Sequence, residues 1–480
     1  MITTVDNFHL ENHTFQKEKE IKIDDDYFFK YTSRLKDIKN LNLTLEDFKK
    51  SVDNKFILFE DKNSKNDLII SITVYKDSNG IERCNIQTGP YIGKFKYNGT
   101  DINIQTRFPS VFMERMLNIA NDVYIDDKLI FEANEKKSKE FNYSKFIIYH
   151  LFIRKLEKAF LLNIPKMYRS VNNHGCKLKG KIDIPNFIKK DIPFKGKISS
   201  ISREQKESQI IIDILYKALS IVEKQSKEIT VGVRNLTNIK YYLKQNKSNR
   251  FISKFTVEKA MNSKALLNPI YYPYKKALKY AKLIIESDSL EEDKGNKHTF
   301  GFLVNISRLF EIYIFKLLKS KFEDWKVKHE PEISLYKGKF YERKIKPDIV
   351  LENGEKVAVF DVKYKKMLLR GTNEGIWDLD REDFFQIHTY MCYYKNKGKN
   401  VVAGGLLYPI EKKLDKYNKY RCHSDNWFDG ENSTKFIVDG IEVCDDVSEK
   451  DKGLRRNNSP KKIIEREKVF LNRIEEILKD

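Results

Sequence analysis

The chain has 480 residues, enough for two or three domains, each with its own core. Hydrophobic residues make up 40% and aromatic residues 12%, which excludes a disordered chain. Lys and Arg outnumber Asp and Glu by 90 to 69, a net charge of +21 that favours a polyanionic partner, nucleic acid first; a Lys-rich, AT-biased genome accounts for the same excess. The five cysteines (Cys84, Cys176, Cys392, Cys422, Cys444) form no C-x-x-C pair, so neither a zinc site, a disulfide framework nor a disulfide-linked partner is expected. A reducing cytoplasm suits them. The polar N-terminus carries no secretory pattern. No apolar run approaches about 18 residues, so no membrane partner is expected.

In chain order, residues 68–74 form a β-rich run, with further strands expected at 83–87 and 91–97. Asn98-Gly99 is a hairpin turn leading to a partner strand at 101–106. Helical spacing follows at 111–120 and 141–165, then a basic, turn-rich stretch at 168–194, then helices at 204–224 and 270–286. Residues 288–297, polar with one Gly, form the linker at which the main boundary is placed. A helix is expected over 300–319, with Leu303, Ile306, Phe310, Tyr313, Ile314 and Leu317 on one stripe. Glu311 sits at the edge of that stripe, where core meets cleft or simply water. After a hairpin at 346–365 come a helix at 383–395, in which Gln386 and Tyr390 share a face, and a buried strand at 401–409. A short strand at 436–438, a solvated charged segment at 448–462 and an amphipathic helix at 464–478 end the chain.

The hairpin carries the chemistry. Two apolar runs flank Asn353-Gly354, the strongest short-range hairpin signal. With those two residues as the turn, Glu352 faces Glu355, Val350 faces Val357 and Asp348 faces Val359. Side chains alternate along a strand, so Asp348, Val359, Asp361 and Lys363 share one face. Asp348 and Asp361 become diagonal neighbours about 7–8 Å apart at the backbone. Their charges repel by roughly 2 kcal/mol at an effective dielectric of about 20. A hard cation between them relieves this, and Mg²⁺ takes a few carboxylates while keeping several waters. Such an ion activates water and holds a phosphate oxygen, and Lys363 is placed to orient the water or neutralise charge. This is the chemistry of a metal-dependent phosphodiesterase. The alternative is that Lys346 and Lys363 balance the two acids as ordinary surface pairs.

Pro347-Asp348 followed by Asp361-Val362-Lys363 resembles the PD-(D/E)xK nuclease signature. The wider set resembles the McrC family, the nuclease subunit of McrBC-type restriction systems. It comprises Thr88-Gly-Pro-Tyr-Ile-Gly93, Leu178-Lys-Gly-Lys-Ile-Asp183, Leu309-Phe310-Glu311, Lys346 to Leu351, Asp361 to Lys365, Gln386 with Tyr390, and Leu407-Tyr408-Pro409, patchily spanning about 85 to 410. The resemblance implies Asp348, Asp361 and Glu311 as metal ligands, Lys363 as catalytic lysine, and Gln386 near substrate or metal, with Tyr390 beside it. It implies Mg²⁺, with Mn²⁺ as a substitute ion, and a McrB-like AAA+ GTPase supplied in trans, since the chain lacks G-x-x-x-x-G-K-[ST]. The extra N-terminal residues and the charged C-terminal extension depart from the family pattern.

The expected fold is α/β, a C-terminal PD-(D/E)xK restriction-endonuclease-like core (a mixed sheet flanked by helices) after an N-terminal mixed α+β region. The expected divisions are 1–140 (mixed α+β, docking the AAA+ partner), 141–290 (mainly helical), 291–415 (nuclease core) and 416–480 (extension with a terminal helix). The expected activity is metal-dependent hydrolysis of DNA phosphodiesters by a restriction endonuclease, with Lys365, Lys366 and Arg370 contacting the DNA backbone. The alternatives are a non-catalytic adaptor of an AAA+ motor and a standalone RecB-like repair nuclease.

Overall fold

A computed structural model of the protein describes residues 2–14, 20–24, 27–31, 40–51, 54–59, 66–98, 100–120, 143–225, 235–292, 300–338, 342–365, 381–410, 425–426, 434–443 and 460–479. The chain divides into two compact units. One combines Met1–Asn134 with Thr299–Asp480, and the other is Glu135–His298. Both are mixed α and β. No helix among the described residues is long and apolar enough to cross a membrane. Cys84, Cys176 and Cys392 are free thiols.

In the first unit, one sheet runs Glu20–Asp24, Tyr27–Tyr31, Ile2–Val5, Thr100–Gln105, Tyr91–Tyr97, Phe300–Asn305, Asn54–Leu58. A second runs His9–Thr14, Glu82–Thr88, Leu68–Lys76, Asn40–Thr44. Alternating apolar side chains from both sheets, among them Ile2, Phe29, Ile70, Ile86, Phe95 and Ile102, meet in one buried core. Strands expected at 68–74, 83–87, 91–97 and 101–106 all lie in these sheets.

The helix expected from residue 300 begins later. Phe300–Asn305 is a strand, antiparallel to Tyr91–Tyr97 and parallel to Asn54–Leu58. Its Phe, Leu and Val side chains suit a buried strand between two neighbours, and Leu303 belongs to the sheet core. Gly93 opposes Leu303, and a Cβ there would lie 1.9 Å from Phe302 O, so only Gly fits. Asn305 then caps the helix Ile306–Lys321, its side chain accepting the Arg308 N–H at 3.0 Å.

The third sheet of this unit runs Lys326–His329, Ile349–Asn353, Lys356–Val362, Asn400–Ile410, Lys435–Glu442, Asp425–Asn426. Lys356–Val362 is antiparallel to Ile349–Asn353 and parallel to Asn400–Ile410. The helix Arg381–Asn396 packs Ile387, Tyr390, Met391 and Tyr394 against Val350, Val357, Val359 and Leu406. The helix Pro460–Lys479 closes the unit through charge as well as packing. Arg473 donates twice to Asp439 at 2.7 Å, and Glu467 accepts from Arg115 and from the Tyr313 hydroxyl at 2.7 Å.

In the second unit, helices Tyr143–Phe160, Gln209–Gln225 and Tyr272–Glu292 form the bulk beside a small antiparallel sheet of Lys166–Gly175, Ile198–Glu207 and Lys181–Ile182. Residues 204–207, expected as helix, finish a strand paired to Lys166–Gly175. Residues 288–292 of the expected linker finish the helix Tyr272–Glu292, and its remainder lies outside the described residues. Most of the charged stretch 448–462 lies outside them as well.

Asp439 is fully buried and Arg473 is its charged partner. Arg473→Ala leaves that carboxylate uncompensated and should destabilise the protein by about 3–5 kcal/mol, read as a lower urea midpoint with unchanged slope.

Candidate active site

The hairpin turns on Gly354-Glu355 rather than Asn353-Gly354. Gly354 has φ of 60° at the first central position, as a type II′ turn requires, and Asn353 pairs with Lys356. The expected register is therefore off by two. Val350 faces Val359 and Ile349 faces Phe360, so continuing the ladder sets Asp348 level with Asp361 rather than diagonal to it. A shift of two keeps every side chain on its face, so the shared face of Asp348 and Asp361 stands.

Lys356–Val362 is a central strand whose residues after Lys356 are all buried, and Asp361 is 1% exposed within it. Its Oδ2 lies 2.6 Å from Lys363 Nζ, and its carboxylate takes a hydrogen bond from the Asp348 carboxyl. Asp348 stands just before the neighbouring strand and accepts the Val362 N–H on Oδ2 at 2.7 Å. Burial, then the Asp361 charge, then that of Glu311 push the Asp348 carboxyl well above its ordinary range. Burial also raises Asp361, against the pull of Lys363.

Lys363 Nζ donates to Gln386 Oε1 at 2.9 Å and lies 3.3 Å from Asp383 Oδ1. An ammonium only donates, so Gln386 must present its oxygen to it. The Gln386 amide N–H then donates to the Tyr390 hydroxyl at 2.8 Å, and that hydroxyl donates to Lys346 O at 3.1 Å. The chain of bonds is directional, and it ties helix Arg381–Asn396 to the residue before Pro347. Burial opposes the charge on Lys363, but Asp361, Asp383 and Asp348 together hold its ammonium above the usual lysine range. Burial pushes the Tyr390 phenol up to about 12.

Glu311 is not a solvated flank residue. Arg308 Nη1 reaches both of its oxygens at 2.7 Å, and His329 Nε2 lies 2.7 Å from Oε1. Glu311, His329 and Glu330 each offer a ligand atom within 4.8 Å of the others, with Arg308 also paired to Glu330 at 2.5 Å.

Asp348, Asp361, Lys363, Gln386 and Tyr390 thus meet in one cluster, and Glu311 adjoins it through Asp348. Lys363 is paired to a buried acid, not a surface one. Lys346 pairs instead with Glu332 at 3.0 Å. Lys365 is held by Asp383 at 2.5 Å, and Lys366 and Arg370 lie outside the described residues. Sequence reading missed Asp383, although Asp383, Gln386 and Tyr390 fall at i, i+3 and i+7 on one helix face, a spacing visible in the chain. It also missed Arg308 and His329, whose spacing carries no such signal.

A family model described as McrBC 5-methylcytosine restriction system component matches residues 86–409. The chain belongs to this McrBC family. The match agrees with the span of likeness expected from the motifs, and it includes Glu311, Asp348, Asp361, Lys363, Asp383, Gln386 and Tyr390. In this McrBC-family chain the first strand and the terminal helix lie outside the matched span. No curated protein matches. Two solved structures from Thermococcus gammatolerans are similar. One is a half-complex from a tetradecameric assembly of McrB AAA+ hexamers with bound McrC (16% identity, TM-score 0.46, covering 84% of this chain and 85% of that one). The other is a McrBC complex (17% identity, TM-score 0.32, covering 66% and 88%).

The raised Asp348 pKa has a consequence for stability. The folded carboxyl keeps a proton that the unfolded chain loses near the ordinary Asp pKa, so this group favours folding most at low pH and less as pH rises through the folded value. Asp348→Asn mimics the protonated form and keeps an acceptor for Val362 N–H. It should raise the thermal midpoint at pH 7, with the gain shrinking by pH 4.

Proposed function

We propose that this chain is a Mg²⁺-dependent DNA endonuclease, the nuclease subunit of a McrBC-type restriction system acting with a McrB-like AAA+ GTPase and stimulating its nucleotide hydrolysis. In this reading the sheet around Asp361, flanked by Ile306–Lys321 and Arg381–Asn396, is a PD-(D/E)xK core. One observation carries the proposal. Two buried carboxyls, Asp348 and Asp361, share a hydrogen bond beside the ammonium group of Lys363. Burying two acids side by side costs the fold free energy through desolvation and mutual charge, which folding tolerates where a ligand completes the pair.

Asp348 and Asp361 present only oxygen donors from one face, which suits a hard divalent cation. Asp348 and Asp361 would hold Mg²⁺ or Mn²⁺, with Glu311 from the adjoining helix. Such an ion, when bound, lowers the pKa of a coordinated water and draws charge from a phosphate oxygen. Lys363 remains an ammonium through neutral pH, so its part is electrostatic. It donates to the phosphate as negative charge grows there and does not remove a proton from water. Gln386 and Asp383 fix where that ammonium sits. Family membership supports the restriction-system assignment, and the net charge of +21 supports a polyanionic substrate.

Purified protein with its AAA+ partner, GTP, Mg²⁺ and DNA should nick or break the DNA, and Asp361→Ala should abolish cleavage while the fold survives by circular dichroism. Equal cleavage by the variant sinks the site assignment. Independently, Mn²⁺ calorimetry should give a binding heat with the wild type that Asp348→Ala loses. No heat with either favours a non-catalytic adaptor.

A further inference from the structure

The first strand lies outside the span shared with the family, yet it reaches the candidate site. Ile2–Val5 runs parallel to Thr100–Gln105, and the ends of the two strands deliver Asp6, Asn7 and Arg107 to one place. Asp6 is fully buried. Its Oδ1 accepts the Arg107 backbone N–H at 2.8 Å, and its Oδ2 lies 3.8 Å from Arg107 Nε. Charge-balanced in this way, the buried guanidinium lies over the Phe108 ring at 4.7 Å and the Tyr364 ring at 4.8 Å. The two rings meet edge to face at 5.4 Å. The main-chain carbonyl of Tyr364 then receives Asn7 Nδ2 at 3.2 Å and, at the longer distance of 3.5 Å, Arg107 Nη2. Asn7 holds a left-handed backbone with φ of 48°, and its own N–H is fixed on Gly89 O at 3.1 Å.

Tyr364 stands between Lys363 and Lys365, just past the last ladder residue, Val362. The sheet bonds the Lys363 N–H to Leu407 O at 2.8 Å and orients nothing beyond it. The Lys363 ammonium is held by Asp361, Gln386 and Asp383, and its main chain by what holds the next peptide. A misplacement of about 1 Å at a reacting centre can cost on the order of 10²-fold in rate.

We propose that Asp6, Asn7 and Arg107 are positioning residues that brace the Tyr364 main chain and thereby hold the Lys363 ammonium over Asp361. The N-terminal strand is then a working part of the nuclease site. For its catalytic consequence the proposal rests on the nuclease reading above. The brace itself can be tested without it.

Two variants of the full chain separate positioning from mere structure. Asn7→Gly keeps the left-handed backbone and removes the Nδ2 donor, with its bonds to Tyr364 O and, at 3.3 Å, to Asp6 Oδ2. Arg107→Lys keeps a charge against Asp6 and loses the planar stacking and the Nη2 bond. Amide hydrogen exchange of residues 363–365 should speed about tenfold in each, the equivalent of one lost hydrogen bond. In Asn7→Gly the Mn²⁺ binding heat should stay at the wild-type value, because Asp348 and Asp361 keep their contacts. With the AAA+ partner, kcat for cleavage should fall about tenfold with KM for DNA unchanged. Unchanged exchange at 363–365 in both variants overturns the brace, and so does wild-type kcat in both. If the wild type itself does not cut DNA, the nuclease reading fails, and faster local exchange in Asn7→Gly still establishes the brace.

Discussion

A carboxylate enclosed in a sheet is the constraint around which the rest of this unit is arranged. Asp361 occupies a strand that after Lys356 is otherwise made of Val, Ala, Val, Phe and Val, with helices packed against the sheet. Desolvating such a group costs several kcal/mol unless charge and hydrogen bonds return the energy. Only part is returned here. Lys363 pairs with one oxygen and the Asp348 carboxyl hydrogen-bonds the carboxylate, while Asp383 adds repulsion. Hydrophobic contacts between the Arg381–Asn396 helix and the sheet supply the stability that this cluster consumes. A local deficit inside a well-packed frame is what a binding site for a cation or a reacting phosphate requires, and it has no value to the fold alone.

The hairpin was legible because parity is robust. Any two-residue shift leaves Asp348, Asp361 and Lys363 on one face, so the site could be placed from the alternation although the turn was misassigned. The turn itself was not legible. Asn-Gly and Gly-X are both good two-residue loops, and the choice between them depends on which cross-strand pairs pack, here Val350 with Val359. The start of the Ile306–Lys321 helix failed for a similar reason. Leu303 fits both the helical stripe and a strand, and only the distant strands Tyr91–Tyr97 and Asn54–Leu58 decide between them. Asp383 carried a readable spacing with Gln386 and Tyr390. Asp6, Asn7 and Arg107 carried none, because their meeting with Tyr364 spans most of the chain.

Those long-range contacts share a pattern. The elements that bring Glu311 and Lys363 to the site are also fastened to the N-terminal sheet or the helix that follows it. The helix bearing Glu311 starts where Ile306 N–H meets Pro90 O at 2.9 Å, immediately after a strand of that sheet. The segment bearing Lys363 is held through Tyr364 by Asn7 and Arg107. The terminal helix grips Arg115 of the Ser110–Ala120 helix with Glu467, and that same carboxylate takes the Tyr313 hydroxyl from the helix of Glu311. Residues 1–134 and 299–480 fold as one unit for this reason. A load applied to the N-terminal sheet therefore has covalent and hydrogen-bonded routes to both Glu311 and Lys363. Asp348 and Asp361 instead take their positions from their own sheet. A displacement of that frame would move the lysine and the helix glutamate relative to the paired aspartates.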